Sequence, residues 1–153
     1  ILSRGNELIC PDNQTCLFVT GFCVVLNIET GELQYANAGH NPPLVISQDA
    51  GADFLKGPGG LVLGVMQNIK LENKYLALKP GDTIFLYTDG VTEAMNPEKQ
   101  MFSEARLKSL LEELKGKDIR NIIGHIRQAI FSFAKGAPQS DDITMLALHY
   151  KGA

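Results

Sequence analysis

GDTIFLYTDG, residues 81–90, decides how the chain is read. Its centre, TIFLYT at residues 83–88, is apolar towards both faces, which is the pattern of a strand covered on both sides. Asp89-Gly90 closes the run. Beyond it the hydrophobic period changes from two to 3.6. A first helix shows a stripe of Leu107, Leu110, Leu111 and Leu114, with Ser103 as N-cap, Phe102 stapled onto Leu107 and Gly116 at the C-terminal end. A second helix, starting at Asp118, places Ile119, Ile122, Ile123, Ile126, Ile130 and Phe133 on one face. Both are expected to pack on a sheet. A last strand, residues 143–150, follows the break at residues 136–140.

Upstream of that stretch the signals are those of strands. Residues 17–28, LFVTGFCVVLNI, are apolar at odd and even positions and predict a strand central in a layered fold. Glu29-Thr30-Gly31-Glu32 turns the chain back into a strand in which Leu33 and Tyr35 alternate with polar neighbours. Residues 44–46 form a short strand, and residues 57–60, GPGG, an exposed loop. Residues 71–78 read as an edge strand, followed by a type II turn at Lys79-Pro80-Gly81-Asp82. Strands, two helices and a strand, in that order, give a largely antiparallel, layered α+β domain spanning residues 1–153.

Composition narrows the partners. The chain has 153 residues, 44% of them apolar, which is enough for one domain with a real core. Seventeen acidic side chains against fourteen basic ones leave a net charge of −3, no footprint for nucleic acid or an anionic lipid surface. No apolar run reaches the roughly 18 residues that a membrane span requires. No direct membrane contact and a cytoplasmic location are expected. Cys10, Cys16 and Cys23 match neither a metal knuckle nor a disulfide framework, and none begins the C-x5-R pattern of a cysteine-nucleophile phosphatase. The chain opens on Ile1, and its N-terminus reads as cut from a longer protein.

Two acidic spots carry the chemistry. Asp89 ends one apolar strand and Asp141-Asp142 opens another; buried there, a carboxylate would cost desolvation energy. If the two strands are antiparallel neighbours, their carboxylates meet at one rim. They would then repel each other unless a divalent cation neutralises them. Oxygen-only ligands suit Mg²⁺ or Mn²⁺ rather than zinc. Gly90 leaves room for a ligand or hydrated ion to approach the backbone. The ordinary readings stand beside this one: Asp-Gly after a strand is a common turn, and Asp before a strand a common cap. His40 reads as a turn histidine, His125 as solvated, and His149 has no evident partner. Residue physics alone reaches a soluble α+β domain with an acidic site fit for a cation.

YANAGHNPPLVI (residues 35–46), GGLVLGV (59–65), GDTIFLYTDGVTEAMNP (81–97) and SDDITMLAL (140–148) occur in this order. Together they resemble the bacterial sporulation stage II E branch of the type 2C (PPM) protein phosphatase family, over residues 16–149. The resemblance implies an α-β-β-α sandwich, two stacked and mostly antiparallel sheets flanked by helices, with a binuclear Mn²⁺ or Mg²⁺ site at one edge. It implies that Asp89 and Asp141 are metal ligands, with Asp142 the weaker candidate, His40 structural or near the site, and Gly90 near the site. It implies hydrolysis of phosphoserine or phosphothreonine by metal-activated water, on a phosphorylated anti-sigma-factor antagonist in partner-switching control.

The family also carries upstream acidic motifs that this chain lacks. The sandwich is thus expected to be incomplete at its N-terminus, and the chain to hold at most half of the metal shell. Alone it is expected to be inactive and to form a homodimer, swap elements or aggregate. A catalytically silent, phosphatase-like partner-binding module is the alternative reading.

Overall fold

The computed structural model describes residues 1–13, 15–55, 57 and 59–153. Of the loop read at residues 57–60, Pro58 lies outside the described residues. In chain order the elements begin with α1 (Leu2–Ile9), a 3-10 turn (Cys10–Asp12), β1 (Gly21–Leu26) and β2 (Glu32–Ala38). They continue with β3 (Leu44–Ser47), β4 (Gly51–Phe54), β5 (Lys74–Ala77) and β6 (Thr83–Tyr87). They end with α2 (Asp89–Thr92), α3 (Glu104–Glu113), α4 (Ile119–Ala134) and β7 (Met145–His149). The fold is mixed, with antiparallel sheets and helices, in two compact units.

The first unit comprises Ile1–His40, Lys56–Leu78 and Gly152–Ala153. Its sheet has the order β1-β2-β5, antiparallel throughout. The hairpin joining β1 to β2 is closed by Asn27, whose Oδ1 accepts the N–H groups of Glu29 and Thr30 while Gly31 takes φ +77°. Leu33 and Tyr35 point inward along β2, and Ala38 at the opposite parity is buried as well. β5 is an edge strand, as its sequence predicts.

β1 departs from expectation. It begins at Gly21 rather than residue 17, lies at the sheet edge rather than in the centre, and leaves Val25 57% and Ile28, just beyond it, 72% exposed. The reason is pairing: among the described residues β1 has β2 on one side and no strand on the other. The helix α1 has no sequence signal at its start, since Ile1 offers no capping side chain. It is held by the buried Asn6, which donates to the Met66 carbonyl (3.0 Å) and accepts from the Gly64 N–H (2.9 Å).

The second unit comprises Asn41–Leu55 and Lys79–Lys151. Its sheet has the order β4-β3-β6-β7, again antiparallel. β6 is central, registering Phe85 with Leu44 of β3 on one side and Ala147 of β7 on the other. The turn before β6 is tied by Asp82, whose N–H donates to the Lys79 carbonyl at 3.0 Å and whose carboxylate accepts from the Gln48 and Lys79 N–H groups. α3 packs on β4 and α4 on β7. Leu107, Leu111, Ile122, Ile126 and Ile130 from the two helices close over Leu44, Ile46, Phe85 and Tyr87 of the sheet. Asp118 caps α4 through the Arg120 N–H at 2.8 Å. Ser103 occupies the N-cap of α3 but makes no side-chain cap bond, since at φ +73° it stands outside the usual cap geometry. β4 has no periodic signal in the sequence, being four residues with only Ala52 and Phe54 apolar.

Candidate functional site

β6 and β7 are antiparallel neighbours, with Tyr87 opposite Met145, so the end of one and the approach to the other meet at one rim. Thr88 joins them beyond the last ladder pair. Its N–H donates to the Thr144 carbonyl (3.0 Å), and its hydroxyl donates to the Asp142 carbonyl (2.7 Å) while accepting from the Thr144 N–H (2.9 Å). One threonine side chain thus uses its donor and one lone pair to hold the segment that carries the second acidic spot.

Asp89 is the first residue of α2. Its Oδ1 accepts from the Gly90 N–H at 3.0 Å, and its carbonyl receives the Thr92 hydroxyl and the Glu93 N–H. Gly90 is buried, and a Cβ built on it would lie 2.5 Å from the Asp142 carbonyl oxygen and 2.9 Å from that of Asp141. Only glycine permits this approach. The group that comes close to Gly90 is therefore the backbone of the second acidic pair.

The loop leading to β7 is fastened as well. Gln139 Nε2 donates to the Asp141 carbonyl (2.6 Å), the Ser140 hydroxyl donates to the Glu93 carbonyl (3.2 Å), and the Asp142 N–H donates to Asp141 Oδ1 (2.7 Å). Asp89, Asp141 and Asp142 are all exposed, so the desolvation cost expected of a carboxylate at an apolar strand end does not arise here. The fixed element is the backbone: each of Asp89 and Asp141 has one carboxylate oxygen engaged by a neighbouring N–H.

This donor set is all oxygen and open to solvent. It fits a hard divalent cation of the Mg²⁺ type, which retains several waters and commonly takes one or two carboxylates. No group of three or more His, Cys, Asp or Glu able to hold a metal occurs among the described residues, so the fit is to part of a coordination shell.

His40 belongs to the first unit. Asn37 builds its turn, accepting from the His40 N–H (2.8 Å) and donating to its carbonyl (2.9 Å), with the Phe22 ring 6.2 Å away. Gly39 in the same turn has φ +74°, and a Cβ there would strike the Val62 side chain. His125 is exposed on α4, its Nδ1 2.7 Å from the Asn121 carbonyl. His149 has a partner after all, Thr83 Oγ1 at 2.9 Å. The three cysteines are free thiols. Sequence reading overlooked Thr88, Ser140 and Thr144; the signal for the first two is a hydroxyl residue directly before an Asp, in TDG and SDDIT, and Thr144 follows two residues after Asp142.

The family described as Stage II sporulation protein E (SpoIIE) matches residues 1–151. Protein IcfG of Synechocystis sp. (strain ATCC 27184 / PCC 6803 / Kazusa) is 36% identical over 146 residues, covering 94% of this chain and 23% of that protein. The phosphoserine phosphatase RsbU of Bacillus subtilis (strain 168) is 27% identical over 151 residues, covering 99% of this chain and 44% of that protein. The solved SiaA-PP2C domain of Pseudomonas aeruginosa shares the fold, with a TM-score of 0.83 and 20% identity over 97% of this chain and 59% of that one. The chain spans less than half the length of these two curated relatives.

Proposed function

Because the chain belongs to the stage II sporulation protein E family, we propose that it is part of a metal-dependent serine/threonine protein phosphatase. The substrate in this reading is a phosphoserine or phosphothreonine on an anti-sigma-factor antagonist, acted on in the cytoplasm. Serine phosphatases of type 2C among its relatives support the family-level chemistry, and that family is generally metal-dependent. No helix among the described residues is long and apolar enough to cross a membrane.

The observation that carries the reading is the contact of Gly90 with the Asp141-Asp142 backbone, which sets two exposed acidic spots side by side at one rim. Asp89 and Asp141 would hold the Mn²⁺ or Mg²⁺, with Asp142 beside them as the weaker ligand. The cation, when bound, supplies charge neutralisation at the phosphoryl oxygens and an acidified water. The chain's own contribution is positional. Thr88 fixes the distance between strand ends, Gly90 admits the close approach, and Ser140 and Gln139 keep the 139–142 loop from drifting. Without the cation, carboxylates gathered at one rim would repel a phosphate dianion.

The test uses the full gene product containing residues 1–153, assayed on a phosphoserine protein and on p-nitrophenyl phosphate. Turnover is expected with Mn²⁺ or Mg²⁺ and lost on chelation. Asp89→Asn is expected to lower it by several orders of magnitude with the thermal midpoint unchanged or slightly raised, because one of several clustered charges is removed. Full activity after exhaustive chelation would overturn the metal reading. Activity retained by Asp89→Asn would return Asp89 to the role of a turn residue. Partner binding without turnover would favour the silent module.

A further inference from the structure

Within the first unit, residues 60–63 of the loop leading into β5 are held by backbone hydrogen bonds. The Gly60 N–H donates to the Asn37 carbonyl (2.9 Å), and Leu63 exchanges two backbone hydrogen bonds with Val19 (3.0 and 2.9 Å). A Cβ at Gly60 would collide with the Asn37 carbonyl and the Leu71 side chain, and one at Gly57 with the Lys74 ammonium. Beside this loop opens a cleft of about 260 Å³, lined by Asn37, Gly59, Gly60, Leu61, Lys70 and Lys74, with Glu72 as its one acid.

Among its described residues the cleft has two lysines to one acid, whereas the whole chain carries a net charge of −3. Leu61, which lines the cleft, is 44% exposed. Exposed apolar side chains rimmed by polar groups mark interaction sites, and the cationic rim selects the sign of the partner.

Resting on the phosphatase reading, we infer that this cleft docks an acidic segment of the phosphoprotein partner, with an apolar residue of that segment on Leu61. A phosphoprotein is repelled by an overall acidic enzyme at long range. The cleft shares no residue with the carboxylate rim, so it governs protein substrates and leaves a small phosphoester unaffected.

The probe is a short fluorescein-labelled peptide rich in Asp, Glu and Leu, with a control in which Lys replaces the acids, titrated into the full gene product by anisotropy. The acidic peptide is expected to bind, weakening as salt rises, and the control not to bind. Lys70→Glu, at an exposed position, is expected to weaken binding about tenfold, with Lys70→Arg restoring it. Turnover of p-nitrophenyl phosphate is expected to be equal in all three proteins. Equal affinity for both peptides, or binding unchanged in Lys70→Glu, would overturn the docking surface. Absence of p-nitrophenyl phosphate turnover in the unsubstituted protein would count against the phosphatase reading, while the titration would still decide the docking.

Discussion

β6 is hydrogen-bonded to β3 on one side and β7 on the other, and its Phe85 is fully buried (0% exposed) in the cluster formed with α3 and α4. Among the described residues β1 is bonded to β2 alone, and Val25 towards its end is 57% exposed. Both strands are rich in apolar side chains, yet one is the middle of a covered sheet and the other an open edge. The difference shows that apolar content states how much surface a strand could bury. The number of neighbours decides how much it does bury.

The largest expected effect tests that difference at its covered end. Phe85→Ala is expected to cost about 3–5 kcal/mol, from lost transfer energy and the cavity left behind, read as a lower urea midpoint. A loss below 1 kcal/mol by the same measurement would mean that β6 is not the centre of the core.

Gly90→Ala comes next, at the join between β6 and the loop before β7. Alanine is the better helix former by up to about 1 kcal/mol, but its Cβ would lie 2.5 Å from the Asp142 carbonyl oxygen. Overpacking of this kind costs about 1–3 kcal/mol, so the clash is expected to win. Equal thermal midpoints for the two proteins would show that the rim can spread at no cost.

Asp118→Ala probes the cap of α4, the helix that covers β7. Hydrogen bonding from the Arg120 backbone and side chain holds the Asp118 carboxyl below the usual range. Its folded pKa is depressed, so the stabilisation is present above the unfolded value and lost as pH falls through the folded one. The stability gap between the two proteins is expected to be present at neutral pH and to narrow on acidification. A gap independent of pH would assign the loss to helix propensity instead of charge.

The smallest change in stability belongs to the open edge. Val25→Lys is expected to leave folding stability within about 0.5 kcal/mol, as at other exposed positions. Self-association through β1, read by light scattering, is expected to fall, since a charge on an edge strand opposes pairing with a second copy. A strong destabilisation would show that β1 is covered in solution.

How much was legible can be judged from particular residues. The hairpin at Gly31, the turn at Pro80-Gly81 and the stripes of α3 and α4 follow from the sequence, whereas the approach of Asp89 to Asp141-Asp142 follows only once β6 and β7 are paired. The solvated position of His125 also follows from the sequence. α1, β4 and the roles of Asn6 and Thr88 do not, since each depends on groups distant in the chain: Asn6 on Gly64 and Met66, Thr88 on Asp142 and Thr144.

The sequence by itself determined the elements whose signals are local, namely turn chemistry, cap residues and the period of apolar side chains, because those forces act among residues a few positions apart. It also set the order of the motifs that mark the family. Only the tertiary structure decided that β1 is an edge, that Gly90 is packed against the backbone of the second acidic pair, and that the three carboxylates face solvent. Burial and close approach are properties of pairs of segments, and pairing depends on which distant strand lies alongside.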